Sequence, residues 1–234
     1  MKWKLMLLAA VAATAHAGLI TNGGFETGFT SWTRADQIGG DGSFLLQTGG
    51  LSPLNLLPVA PPPQGTNAAM TDAGGPGSHV LYQDFVVPTS PSPFFLNFML
   101  YVANGFAPDF YTPASLDFST PANNQQARVD IITTTANVFS VAAADVLLNA
   151  YQTQSGNPLV SGYNMFSVDV TSLLQAHAGQ TLRLRFAEVD NVAPFNFGVD
   201  AVDIDERATV VPEPGTWVAG IALLAGLAVR RFRR

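Results

Sequence analysis

The sequence predicts an all-β fold, a sandwich or a barrel. Two observations carry this expectation. Short apolar runs, several with period-two alternation, are separated by clusters of Gly, Pro and Asn. Long helical patterns are missing from the body of the chain. Of 234 residues, 21 are glycine and 16 are proline, which is ample punctuation for many short strands.

Taken in order, residues 81–87 read as a strand that stops at Pro88, and residues 94–102 form a strong apolar and aromatic run. Residues 128–134 alternate, with Val129 and Ile131 among polar neighbours. Residues 181–189 alternate most cleanly. Leu182, Leu184 and Phe186 share one face and Arg183 and Arg185 the other, which predicts one dry and one wet face of an antiparallel sheet. Phe195, Phe197 and Val199 alternate with Asn196 and Gly198. The phase then slips at Asp200-Ala201, so that Val202 and Ile204 become the apolar pair, and a bulge accounts for the slip. Residues 169–178 predict one or two helical turns, capped by Thr171 or Ser172 and ended by Gly179. Residues 142–149 predict a second short helix. Residues 49–65, with five prolines, and 107–124, with three, predict long loops, a length that is unusual unless functional or mobile.

The two ends read as addresses. Lys2 and Lys4, the apolar stretch 5–13 and Ala15-His16-Ala17 describe a secretory signal cleaved after Ala17. At the other end, Val-Pro-Glu-Pro (211–214) precedes an uncharged run, 217–229, and then Arg230, Arg231, Phe232, Arg233 and Arg234. At ~1.5 Å per residue the run spans about 20 Å, against about 30 Å of hydrocarbon. Trp217 suits an interface, and the arginines suit a stop that stays cytoplasmic. Gly220 and Gly226, with alanines between, suit close helix contact in lipid. The expected plan is a signal helix at 1–17, an ectodomain at 18–206, a linker at 207–214, and a short transmembrane helix with an Arg-rich tail at 215–234.

Pro-Glu-Pro, a short span and an Arg-rich tail resemble the PEP-CTERM sorting signal of Gram-negative bacteria, also described as the ice-binding protein C-terminal type. The resemblance implies passage through the inner membrane and C-terminal anchoring there. It also implies processing by a sorting protease of the exosortase type, which would recognise Pro212, Glu213 and Pro214 and leave the product at the cell surface or outside the cell. The setting it implies is the cell envelope, with extracellular polysaccharide or biofilm matrix nearby.

Composition excludes several classes. There is no cysteine, so thiol catalysis, iron–sulfur clusters and cysteine zinc sites are ruled out, and stability must come from the core, with a metal as the one further source. Between the two signals stand five arginines, no lysine and sixteen of the seventeen acids. A nucleic-acid partner needs a basic footprint, which this segment lacks.

Leu19-Ile20-Thr21-Asn22-Gly23-Gly24-Phe25-Glu26-Thr27-Gly28, followed by Trp32, resembles the opening strand of galactose-binding-like jelly rolls, among them many carbohydrate-binding modules. The closing run 197–204 resembles their last strand. This resemblance implies a jelly-roll β-sandwich with Trp32 in its core. It also implies a structural calcium shared by Glu26 and Asp200 with backbone carbonyls, for which the Gly-rich loop 39–43 is the expected source. Calcium takes about 6–8 oxygen ligands. Ala201 stands where the family often has a second Asp.

Catalytic patterns are sparse. His79 and His177 lie far apart, without metal-ligand spacing, and His16 belongs to the signal, so a catalytic zinc site is not expected. Ser78 and His79 adjoin, but neighbours on an extended chain face opposite ways; residues 74–79 read as a flexible turn. No phosphate loop or dinucleotide fingerprint occurs. Glu188 and Asp190 are the best-placed carboxylates for two-acid glycoside hydrolysis, although surface solvation is the commoner fate of such a pair. Phe106, Phe110 and Tyr111 form a candidate ligand surface in a Pro-rich loop, with Tyr101, Tyr151 and Tyr163 as further candidates, although core packing is the commoner role of such rings. The reading is a non-enzymatic binding or structural β-sandwich associated with polysaccharide. The alternative is a glycoside hydrolase or its accessory module.

Overall fold

The computed structural model describes residues 18–207. The signal with Ala15 and Ala17, the motif Pro212-Glu213-Pro214, the apolar run and the terminal arginines lie outside the described residues. Among the described residues, no helix is long and apolar enough to cross a membrane.

The described chain is all-β apart from one short helix. Its strands are β1 (Thr33–Asp36), β2 (Ser43–Gln47), β3 (Ala68–Asp72), β4 (Gly77–Val86), β5 (Phe94–Ala103), β6 (Gln125–Thr133), β7 (Val146–Gln152), β8 (Val160–Asp169), β9 (Thr181–Asp190) and β10 (Asn196–Glu206); the helix α1 (Thr171–Ala176) precedes β9. They form two five-stranded sheets, ordered β1-β4-β9-β6-β7 and β2-β3-β10-β5-β8. Every pairing is antiparallel. The arrangement is consistent with a jelly-roll sandwich.

Alternation decides the layers. Leu182, Leu184 and Phe186 of β9 face Leu96, Phe98 and Leu100 of β5 within one apolar cluster. The Phe98 ring stands edge-on to Phe186 at 5.9 Å and stacks on Phe166 at 5.5 Å. Each such buried aromatic contributes about 1.5–3 kcal/mol by removal from water. Trp32 joins this core as expected, at 6.0 Å from Phe186, and its indole N–H donates to the Asn22 carbonyl at 3.0 Å. The bulge expected in the last strand is present. The β10–β5 register shifts between Asp200 and Asp203, and Ala201 adopts φ 51°.

Several expectations need correction. Residues 19–28 do not form a strand; turns run through this segment, and Asn22 and Phe25 have positive φ. The segment is tied to β10 by Leu19 N–H to the Ile204 carbonyl and Val202 N–H to the Gly23 carbonyl. Residues 142–149 are not a helix: from Val146 they form β7, the edge strand paired with β6. Ala and Leu favour a helix locally, but cross-strand pairing outweighs a weak propensity. The cap of α1 is Val170 rather than Thr171 or Ser172, because the Thr171 hydroxyl accepts the Phe94 N–H at 2.9 Å instead. Gly179, at φ 77°, does follow the helix as expected.

The wet face of β9 is also largely dry. Arg185 is fully buried, and its Nη1 donates to the Val138 and Ser140 carbonyls, each at 2.7 Å. Val80, Ala187 and Val189 on the same outer face are covered by Leu116, Phe118, Val138 and Phe139 from two long loops. Period-two alternation identifies faces, but it does not reveal that a loop covers one of them.

Candidate functional site at the β7–β8 edge

Strands β7 and β8 end the two sheets on the same side and are joined by residues 153–159. Between them lies a cleft of about 170 Å³. Phe110, Tyr151 and Phe166 supply aromatic lining, and Asn157, Ser161 and Asn164 supply polar groups. The Tyr151 and Phe166 rings meet edge to face at 4.9 Å. None of the lining residues carries a carboxylate or a cation. Burial raises the Tyr151 phenol above its ordinary range, so it is neutral and can donate a hydrogen bond.

Asp109, next to Phe110 of the cleft, ties its own loop to residues 155–156. Its carboxylate accepts from Ser155 Oγ, from Gly156 N–H at 2.9 Å and from Phe110 N–H at 2.8 Å. The Ser155 hydroxyl, then the backbone donors, hold this carboxyl below its usual range. Asn104 N–H donates to the Leu159 carbonyl at 2.7 Å and closes the same loop pair. A carboxylate that accepts from two loops fixes the spacing of the polar groups between them.

The three residues of the expected ligand surface separate. Phe110 is in the cleft, 1% exposed and 5.8 Å from the Phe195 ring. Phe106 is 68% exposed and stands outside it. Tyr111 exchanges two backbone hydrogen bonds with Gln125 and does not line the cleft. Tyr151 is part of the site. Phe166, Asn157, Ser161 and Asn164 were not legible in the sequence, because 160–169 shows no clear apolar period; an edge strand presents little buried surface to reveal itself.

Glu26 and Asp200, the expected calcium pair, do meet one common segment. Glu26 accepts from Thr66 N–H, Asn67 N–H and Thr66 Oγ, each at 2.9 Å, and these donors hold its carboxyl below its usual range. Asp200 Oδ2 accepts from Gln64 N–H at 3.1 Å and Oδ1 from Ala201 N–H at 2.7 Å. Burial chiefly, with the Glu26 charge adding, pushes Asp200 up to about 6. A Cβ on Gly24 would stand 3.1 Å from Gln64 Oε1 and in ordinary contact with Asp200 Oδ1 at 3.8 Å, so the backbone runs close to these oxygens. The carboxylates are oxygen ligands of the kind calcium takes, and each of their oxygens accepts a hydrogen bond from the Gln64–Asn67 segment or from Ala201. The loop 39–43 is not part of this niche: Gly40 packs on Gly77, and Gly42 packs on Asp72 and Ala73.

Glu188 and Asp190 are adjacent on one face of β9, as their spacing requires. Surface solvation is wrong for them, since each is about 1% exposed. Burial raises both carboxyls, Glu188 well above its ordinary value and Asp190 to about 8. A hydrolytic pair must flank a bound sugar, and Glu188 is closed off from solvent. Residues 77–79 are not a flexible turn but the buried start of β4, where Ser78 Oγ accepts the Phe118 N–H at 3.0 Å.

No protein-family model matches the chain, and no curated protein matches it. Among solved structures, one similar in outline is a carbohydrate-binding module in complex with β-1,4-galactotriose, at 12% identity, covering 82% of this chain and 100% of that one, with a TM-score of 0.42. A cleaved adhesin domain of Lys-gingipain from Porphyromonas gingivalis is 14% identical, over 79% of this chain and 96% of that one, with a TM-score of 0.47. A Stig cyclase from a Fischerella species is 14% identical, over 82% of this chain and 98% of that one, with a TM-score of 0.46. These likenesses concern the outline of a sandwich and extend to no ligand.

Proposed function

We propose that this chain is an exported, non-catalytic, galactose-binding-like jelly roll that holds a saccharide at the β7–β8 cleft. Its C-terminal signal sorts it through the inner membrane to the cell envelope by way of an exosortase-type protease. The single observation that carries the binding reading is the cleft: an aromatic pair, Tyr151 and Phe166, beside three small polar side chains, with no charged lining. Aromatic faces match the apolar faces of a sugar ring, and amides and hydroxyls match its hydroxyls. A cleft of this size accepts one ring of a chain rather than a long stretch, since sites for drug-sized ligands run to about 300–1,000 Å³.

The closing test is a glycan array with the full chain, read alongside release of reducing sugar from any glycan retained. Retention without release supports the proposal. Release would establish the hydrolase alternative, and a chain that retains no saccharide at all would overturn the binding reading. For sorting, the intact mass of the native product is decisive: loss of residues 1–17 and of the tail near Pro212–Pro214 is the expected result. A structural calcium at Glu26 and Asp200 belongs to the same proposal, supported by their shared backbone segment. Ca²⁺ added back to the chelator-stripped chain should then raise the melting temperature, and Glu26→Ala should remove that rise.

A further inference from the structure

One end of the sandwich interior is lined by titratable groups rather than apolar ones. His79 of β4 and Glu188 of β9 are direct cross-strand partners, and Asp190 lies two residues further along the same face. All three are about 1% exposed. His79 Nε2, Glu188 Oε1 and Asp190 Oδ2 are each buried without a hydrogen-bond partner. Ligating atoms drawn one from each residue lie within 4.8 Å of one another. Native folds rarely leave a buried polar atom unpaired, and three that converge from separate side chains call for an occupant.

The surroundings say what kind. His79 Nδ1 lies 2.8 Å from Asp36 Oδ1 on β1, with which it is paired in register. With that carboxylate as acceptor for an Nδ1 proton, the Nε2 lone pair is the one left for a ligand, the usual arrangement behind a metal-bound imidazole. Asp190 Oδ1 accepts the Gly77 N–H at 2.7 Å, which orients the second ligand. Gly77 itself is required: a Cβ there would stand 2.4 Å from His79 Nε2. Neither carboxylate forms an ion pair among the described residues, whose arginine pairs are all with Asp84 and Asp130.

We propose that His79, Glu188 and Asp190 bind one divalent transition-metal ion of the zinc type. Two carboxylates neutralise a dication, and one imidazole selects a borderline ion over calcium, which prefers oxygen alone. Ligands about 2.0–2.2 Å from zinc stand about 3.3–3.5 Å apart, so the three side chains close by at most about 1.5 Å on binding. Asp190 also lines a pocket of about 190 Å³ between Gly74–Pro76 and Asn191–Pro194, the side from which an ion would approach this ligand. This site is separate from the Glu26–Asp200 niche and from the cleft.

The full chain, stripped with chelator, should take up one equivalent of Zn²⁺ by calorimetry and melt at a higher temperature when loaded. Co²⁺ in its place should show the visible absorption of a low-coordinate site. Glu188→Gln and Asp190→Asn should lose this uptake, and His177→Ala should keep it. Should either carboxylate variant fail to fold, Asp36→Asn leaves all three ligands and should weaken Zn²⁺ binding by about 10–100-fold through loss of imidazole orientation. The proposal is overturned if the stripped chain binds no Zn²⁺, Mn²⁺ or Co²⁺. It is equally overturned if uptake survives in the folded carboxylate variants, or if Ca²⁺ displaces Zn²⁺ from the site.

Discussion

Arg185 on β9 lies opposite Asp130 on β6, and neither side chain meets solvent. Arg185 Nε donates to Asp130 Oδ2 at 3.1 Å, while Arg128 holds the same carboxylate through two bonds of 2.7 Å. One buried anion therefore serves two cations beneath the segment that carries Val138 and Ser140. Asp130→Asn leaves the buried Arg185 guanidinium without its paired carboxylate, which costs about 3–5 kcal/mol. Urea denaturation should show that loss. A change under about 1 kcal/mol would mean that the pair is hydrated in solution.

Gly42 and Gly28 both have positive φ, yet they predict different costs. A Cβ on Gly42 would lie 2.5 Å from the Asp72 carbonyl oxygen, whereas Gly28, at φ 65°, faces open space. Gly28→Ala should cost about 1–2 kcal/mol from its backbone conformation alone. Gly42→Ala adds a backbone clash and should cost more. Equal melting temperatures for the two variants would contradict this.

Asp203 is pushed up to about 7, chiefly by burial and then by Asp205 beside it. Its Oδ1 has no hydrogen-bond partner. The folded state therefore holds a proton that the unfolded chain releases near pH 4. Stability from this group is full below that pH and is lost as pH rises through about 7. Asp203→Asn should remove this slope. It should stabilise the protein at pH 8 by on the order of 1 kcal/mol after solvent screening, and leave it unchanged at pH 4. Denaturation series at the two pH values would test the sign.

Tyr151→Ala should weaken retention of the saccharide found on the array by about tenfold, the equivalent of roughly 1.4 kcal/mol. Phe106→Ala should leave it unchanged, since Phe106 stands outside the cleft. The reverse outcome would move the site to the loop that carries Phe106.

Strong alternation was legible along the chain. The strands β4, β5, β6, β9 and β10, and the bulge after Asp200, follow from residue order because each buries one complete face. The short strands β1, β2 and β3 and the edge strands β7 and β8 were not legible. β1, β7 and β8 bury little, and β3, although wholly buried, is a short run of small and polar residues without a period; pairing with distant neighbours stabilises these strands more than their own propensity does. Arg185 read as a wet residue for the same reason, because its cover comes from a loop far along the chain.

The sequence by itself determined an all-β, cysteine-free, acidic body, because composition and period-two patterning are local properties of the chain. Only the tertiary structure decided that Tyr151 meets Phe166 across two sheet edges, or that His79 meets Glu188 and Asp190. Those meetings depend on strand register, which places side chains from distant segments side by side and leaves no spacing signal in the sequence.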